Sequence, residues 1–307
     1  MAHPIDRTLP AMGRVGGRRF AVDVVALARP WFWPVSLLPY YVGLLLATHR
    51  LLPDRTDPQV LIGAFVAGPL VWLAVLAVND AFDLPGDLLN PRKATTPLTS
   101  GRMTPTTAYR VAIVAAGAAL IGAALVGAAF TAGTAVALAL GWAYSVPPVR
   151  LKERPGVDVA ANAIAVGAMG PFAGWTAVHS PHGFPWLMAL QGVLVGVALY
   201  LPTTLVDYPA DLAGGYRTVA VRLGPRRTYR LGLAAWIAAA ALSAVLALAD
   251  EVIPRSMLPL ELVMVPTLLI GYHRLLRREQ SFVRIAAVSF LFLLPSAAFA
   301  LTYTGTI

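Results

Sequence analysis

The chain has 307 residues, of which 58% are hydrophobic and only 13% charged, more apolar surface than a soluble domain of this length buries. The net charge of +9 raises nucleic acid as a partner, but the basic residues are dispersed over several loops, so nucleic-acid binding is set aside. With no cysteine, disulfides, thiolate zinc sites, c-type haem attachment and a cysteine nucleophile are all excluded.

Residues 1–29, with Arg7, Arg14, Arg18, Arg19 and Arg29, read as a basic arm, flexible or lying on an anionic lipid leaflet. No signal-peptide pattern precedes the first apolar run. Trp31, Phe32 and Trp33 open that run as an interfacial aromatic belt. Nine apolar segments follow, at 31–49, 60–78, 108–127, 130–144, 157–178, 184–206, 231–249, 257–272 and 285–302, each near the length that crosses a bilayer. The fourth is short and needs its flanks. Ala, Gly and Leu dominate these segments without alternation, which predicts helices rather than an outer-membrane barrel. Small residues such as Gly117, Ala118, Ala119, Gly122 and Ala123 are expected at helix contacts. The predicted fold is an all-α membrane protein: residues 30–307 form a bundle of about nine transmembrane helices around a central cavity.

If the segments alternate across the membrane, all of the 24 basic residues except Arg50, Arg55 and Arg255 fall on the side of the N-terminus. The positive-inside rule then places the N-terminus and those basic loops in the cytoplasm. There is also an internal echo, because an acidic motif ends segment two and another ends segment six, each followed by a basic loop. Two four-helix units plus a ninth helix would account for it.

The first motif is N-D-A-F-D-L-P-G-D, Asn79 to Asp87, and the second is D-Y-P-A-D, Asp207 to Asp211. A carboxylate at the end of an apolar span is costly unless paired or metal-bound, so two such clusters suggest a shared ligand. Helical spacing sets Asn79, Asp80, Asp83 and Asp87 along one side of a helix. Pro85 is expected to end or bend that helix near Leu84. Oxygen ligands without His or Cys suit Mg²⁺ together with substrate phosphates. Arg92, Lys93, Tyr144, Arg150, Lys152, Arg217 and Arg222 flank the motifs and supply groups to clamp a diphosphate. Asp23, Asp54, Asp57, Asp250 and Glu251 read as ordinary surface charges, and His179 and His182 as part of a polar loop.

Together N-D-x-x-D-x-x-x-D, the Y-S-V-P-P-V-R-L-K-E-R-P loop from Tyr144, and D-x-x-x-D followed by G-G-Y-R-T-V-A-V-R-L-G resemble the UbiA superfamily of intramembrane prenyltransferases. The resemblance extends from about Arg29 onward. It implies transfer of a prenyl group from an isoprenyl diphosphate to a lipophilic acceptor, with Mg²⁺, two ions, as cofactor. It further implies that Asn79, Asp80, Asp83, Asp207 and Asp211 hold the metal, with Asp87 a further motif acid, and that Lys93, Tyr144, Arg150 and Arg217 hold the diphosphate. Asp83, Asp207 and Arg217 are then the residues on which catalysis turns.

One departure is Thr96 in T-P-L-T-S-G, where many members carry Arg. Arg92 or Lys93 is the candidate to replace that charge. The N-P-R-K segment and the Y-S-V-P-P loop are similar to lycopene elongases, whereas P-L-T-S-G resembles quinone and chlorophyll synthases, so no acceptor is chosen. Asp158 and Asn162, four apart at the start of segment five, are candidates to hydrogen-bond an acceptor hydroxyl, while a helix-start carboxylate explains Asp158 equally well. A UbiA-type terpene cyclase and a non-catalytic transporter or lipid-binding protein are the alternatives.

Overall fold

The computed structural model describes residues 17–52 and 57–306. Arg7 and Arg14 of the basic arm, and Asp54 and Arg55 of the first outer loop, lie outside the described residues. Among the described residues every regular element is helical, because an apolar chain in lipid must satisfy its backbone groups within each segment.

Helix α1 spans Gly17–Ala28. A short turn at Pro30–Phe32 and a 56° bend lead into α2, Pro34–Thr48, and the two pieces together are long and apolar enough for one crossing. The 30-residue α3, Pro58–Asp87, starts at Asp57, whose side chain accepts from the Gln59 N–H, and relaxes through a π turn at Val66–Leu70 around Pro69. Then come α4, Pro105–Val126, and α5, Ala128–Ser145. A single residue joins them, Gly127, with φ 157 and ψ 166, a conformation that only glycine adopts without strain. The short fourth segment gains its flanks in this way, since α5 has 18 residues.

The second half holds α6, Val157–Thr176, α7, Trp186–Ala213, the short α8, Val219–Leu223, and α9, Pro225–Ala249. The last two helices are α10, Leu258–Leu276, and α11, Phe282–Tyr303. Eight helices are long and apolar enough to cross a membrane, or nine with the bent pair at the start.

The bundle is packed as lipid-solvated proteins are, with small residues inside and large apolar ones outside. In α4, Ala108, Ala112, Ala115, Ala119 and Ala123 form a buried stripe, while Val114 (72% exposed) and Ile121 (70%) face outward. The closest helix pair is α2 and α6. A Cβ on Gly174 would stand 1.8 Å from the Tyr40 carbonyl oxygen, and one on Gly43 would stand 1.9 Å from that of Pro171. Backbone meets backbone there, so neither site has a side chain that can move aside. Helices α6 and α7 meet in the same way, at Gly167 and Gly192. The first motif-bearing helix, α3, packs most extensively on α4, whereas α7 is held about equally by α6 and α9.

Three expectations are corrected. Pro85 does not end the helix at Leu84; α3 runs on to Asp87 with the proline inside it. Only one turn remains there, so the missing N–H costs little and Asp87 keeps its helical position. Gly117 makes no helix contact, having nothing within 4 Å of its missing Cβ, and Ala118 is exposed; Ala119, Gly122 and Ala123 carry that packing instead. Asp23 is buried at 5% exposure and paired with Arg102 at 2.8 Å, because α1 is seated on α3 through Asp23 and Leu27.

Gly174→Val is therefore expected to lower the detergent melting midpoint sharply, overpacking of this kind costing about 1–3 kcal/mol or more. Gly117→Ala, on the lipid face, should be neutral or stabilising by about 0.5–1 kcal/mol. Thermal unfolding of the two variants side by side checks the packing, and equal midpoints would refute it.

Candidate active site

The ends of α3 and α7 present the acidic motifs at one end of the bundle, and basic side chains from three separate segments reach them. Along α3 the motif divides between two faces. Asp80 and Asp87, seven residues apart and both buried, face α1 and the loop after α3. Asp80 pairs with Arg29 at 2.5 Å, and Asp87 with Lys93 at 2.6 Å.

Asn79 and Asp83 face α5 and the loop after it. The Asn79 amide nitrogen donates to Asp83 Oδ2 at 2.9 Å and to the buried Ser145 Oγ at 3.1 Å, which leaves its carbonyl oxygen free. Asp83 accepts from Lys152, with Arg150 at 3.5 Å. Arg150 Nε also meets Glu153 at 2.6 Å. Burial pushes the Lys152 ammonium down to about 8, opposed by the fields of Glu153, Asp80 and Asp211.

The second motif is joined to the first across the chain. Arg92, from the loop after α3, donates to Asp207 on α7 and lies 5.4 Å above the Phe282 ring. Tyr216, after α7, sets its hydroxyl against Gly86; a Cβ there would stand 1.9 Å from it. Gly86 is therefore the space that lets the two motif ends touch, and desolvation raises the Tyr216 phenol above its usual range. The Tyr216 N–H donates to the Asp211 carbonyl at 2.9 Å. Among the described residues Asp211 forms no ion pair, and Arg217 is exposed and likewise forms none.

Local backbone explains how the basic groups are aimed. Asn90 caps the turn Pro91–Lys93 by accepting from the Arg92 N–H at 3.1 Å, which directs Arg92 and Lys93 to opposite motifs. Thr96, where an arginine was expected by resemblance, instead bonds Thr99 at 2.8 Å, and its carbonyl accepts from Ser100 at 2.6 Å. The missing charge is matched by Arg92 and Lys93, both on motif carboxylates. Arg29 (φ 44) and Arg150 (φ 38) each take the left-handed backbone conformation just before a short helical turn. That conformation costs a non-glycine residue about 1–3 kcal/mol, and both arginines lie against the first motif.

The other sequence candidates fare differently. The Tyr144 hydroxyl bonds that of Tyr200 on α7 at 2.8 Å, one residue from the Ser145 contact to Asn79. Asp158, 1% exposed, is not placed to meet an acceptor: its Oδ1 accepts from Gly156 N–H at 2.8 Å and its Oδ2 from Val219 N–H at 3.0 Å. It ties the start of α6 to the start of α8. Asn162 is turned back on its own helix, donating to the Asp158 carbonyl at 2.9 Å. Both acceptor assignments give way to this bracing role, because backbone donors take the carboxylate first.

Sequence reasoning missed Arg29, Ser145, Tyr200, Tyr216 and Trp72. Trp72 stands two turns below Asn79 on the same face of α3, donates to Ser36 Oγ at 2.7 Å and stacks on Phe32 at 5.9 Å. Arg29 carried a sequence signal as the last basic residue before the first span, and Ser145 and Tyr216 lie inside the Y-S-V-P-P and G-G-Y-R segments.

No group of three or more His, Asp or Glu side chains converges closely enough among the described residues to hold a metal unaided. Four of the five motif carboxylates are instead neutralised by Arg or Lys. A free amide oxygen beside a row of carboxylates is an all-oxygen donor set, which fits Mg²⁺ shared with a phosphate.

The chain belongs to the UbiA prenyltransferase family, whose model matches residues 36–304. Among named relatives it is 30% identical to the lycopene elongase/hydratase of Haloferax volcanii, over 75% of this chain and 74% of that protein. It is also 30% identical to the protoheme IX farnesyltransferase of Alcanivorax borkumensis, over 55% of this chain and 54% of that protein, so this match spans about half of each. Among solved structures, a UbiA homolog from Archaeoglobus fulgidus bound to GPP and Mg²⁺ superposes with a TM-score of 0.75 and 22% identity, covering 92% of this chain and 99% of that one. That likeness establishes the fold.

Asp158→Ala strands two backbone N–H groups, so it is expected to destabilise the protein by about 1–3 kcal/mol. A lowered melting midpoint with unchanged acceptor KM is the expected result. The reverse pattern would return Asp158 to the acceptor.

Proposed function

We propose that this protein is a Mg²⁺-dependent intramembrane prenyltransferase that moves a prenyl group from an isoprenyl diphosphate to a lipophilic acceptor, an aromatic or quinone precursor, a chlorin or a polyene. The observation that carries this reading is the Arg92–Asp207 pair, which ties the loop of one acidic motif to the carboxylate of the other. Two such motifs gathered with six basic side chains at the end of an apolar bundle suit one amphiphile with a diphosphate head and a hydrocarbon tail. A transporter would have no need of two carboxylate clusters.

Asn79, Asp80, Asp83 and Asp87 on one side, and Asp207 and Asp211 on the other, would hold the Mg²⁺, two ions in all. Mg²⁺ held by these residues would supply Lewis-acid stabilisation of the charge that develops on the leaving pyrophosphate. Arg29, Arg92, Lys93, Arg150 and Lys152 now rest on carboxylates or beside them. When the diphosphate arrives, these cations exchange carboxylate for phosphate oxygens, and Arg217 joins them from the exposed side. Their hold tightens as the C–O bond breaks and negative charge gathers on the leaving group. The tail runs down the bundle past Trp72, away from water, so the allylic cation meets the acceptor before it meets solvent. By the positive-inside rule the site opens to the cytoplasm.

The test is pyrophosphate release from C10, C15 and C20 prenyl diphosphates by the purified protein, with Mg²⁺ or a chelator, and with or without a lipid extract of the host. Release that needs both Mg²⁺ and extract is expected. Release without extract, accompanied by a cyclised hydrocarbon, would make the protein a terpene cyclase; binding without release would make it a lipid carrier.

Two substitutions follow from the assigned roles. Asp83→Ala and Asp207→Ala each remove a charged oxygen from opposite sides of the site, so turnover should fall at least about 100-fold with the fold intact. Retained turnover in both would defeat the assignment. Arg217→Ala should lower turnover more than it weakens substrate binding, by about 2–4 kcal/mol in transition-state terms. Lysine at 217 should recover part of that, since it keeps charge but loses the fork. Arg110→Ala, an exposed basic change on the same side, should leave kcat unaltered, and equal defects at 110 and 217 would mean that Arg217 serves topology alone.

A further inference from the structure

Six arginines outside the active site stand together without carboxylate partners. Arg226, Arg227 and Arg230 occupy the first turns of α9, and Arg274, Arg277 and Arg278 occupy the end of α10; all six are exposed. The two helices run antiparallel, in a register set by several contacts. Tyr229 shares a 2.8 Å hydrogen bond with His273 Nδ1, Trp236 stacks on Tyr272 at 5.8 Å, and the Tyr272 hydroxyl packs against Gly232. That register brings the two arginine rows to the same level, side by side.

None of the six forms an ion pair among the described residues. The nearby Glu279 is taken by Arg284 at 2.6 Å, and Arg277 meets only the His273 ring, at 3.3 Å. Topology asks for positive charge on this side of the membrane, but it does not ask for it at the start of a helix. Arg226, Arg227 and Arg230 stand at the positive end of the α9 dipole, and the first turn of α9 contains no acid. Cations there are disfavoured unless an anion compensates. Toward the membrane interior the same two helices expose Leu231, Ile237 and Ile270, so guanidinium groups give way to lipid-facing apolar side chains along one surface.

We infer that the paired ends of α9 and α10 form a binding site for an anionic phospholipid, whose phosphate lies among the six guanidiniums and whose acyl chains run along Leu231, Ile237 and Ile270. Forked guanidiniums suit a phosphodiester, and basic surfaces between transmembrane helices are where anionic headgroups collect. The apolar continuation selects a lipid over a free phosphate. The site is separate from the acidic motifs, so it stands whatever reaction they perform.

The experiment is native mass spectrometry of the full chain in detergent, with dioleoyl phosphatidylglycerol, dioleoyl phosphatidylcholine and inorganic phosphate as probes. The wild type should retain phosphatidylglycerol in preference to phosphatidylcholine, and inorganic phosphate should not displace it. Arg226→Gln, Arg227→Gln and Arg230→Gln combined should weaken that retention about 10-fold or more, whereas Arg50→Gln, Arg110→Gln and Arg154→Gln combined, with the same loss of charge, should change it less than about 2-fold. Should the first combination fail to fold, Arg230→Gln and Arg277→Gln singly should each weaken retention more than Arg110→Gln does. Equal losses in site and control variants, equal retention of the two lipids, or displacement by inorganic phosphate would overturn the inference.

Discussion

A carboxylate at the end of an apolar helix must be neutralised, and that requirement organises one end of this protein. Asp80, Asp83, Asp87 and Asp207 meet cations from three parts of the chain: Arg29 before the first span, Lys152 after the fourth, and Lys93 and Arg92 from the loop after α3. Losing the partner of Asp80, Asp83 or Asp87 would leave a charge stranded in a poorly solvated place, at a cost of several kcal/mol, whereas Asp207 keeps contact with solvent. The same ion pairs hold the loops in position, and in the proposed reaction these countercharges would become the phosphate grip.

Function adds a constraint to the packing. An apolar tail and a lipophilic acceptor have to meet inside a bundle that lipid already solvates, so the helices cannot be driven together by hydrophobic burial. The chain answers with glycine at the tightest crossings, Gly43 and Gly174 between α2 and α6 and Gly167 and Gly192 between α6 and α7. Large side chains are sent outward to the lipid. Nearer the acidic motifs aromatic and hydroxyl side chains pair instead, Trp72 with Ser36 and Tyr144 with Tyr200.

Local order and global order cooperate at the loops. Asn90 shapes a turn of three residues so that adjacent side chains, Arg92 and Lys93, serve opposite motifs. Asp158 spends both oxygens on backbone N–H groups and so fixes the start of α8 just past Arg217. Two arginines accept a left-handed backbone to face the first motif. Such strain persists only where the surroundings over-determine it, and here the surroundings are buried carboxylates.

The sequence by itself determined the class of protein, a count of eight to nine apolar spans, and the two acidic motifs, because each rests on local properties: apolar length, helical spacing, and carboxylates where lipid ends. It also carried Lys93, Arg150, Lys152 and Arg92 as basic groups near those motifs. It did not reveal which cation meets which acid, since pairs such as Arg92 with Asp207 and Arg29 with Asp80 join residues 115 and 51 positions apart, and only the folded bundle sets those distances. The same holds for Asp23, which a local reading put on the surface, and for Asp158, which it offered to an acceptor. Burial and hydrogen bonding are properties of neighbours in space, and the neighbours of both come from other helices.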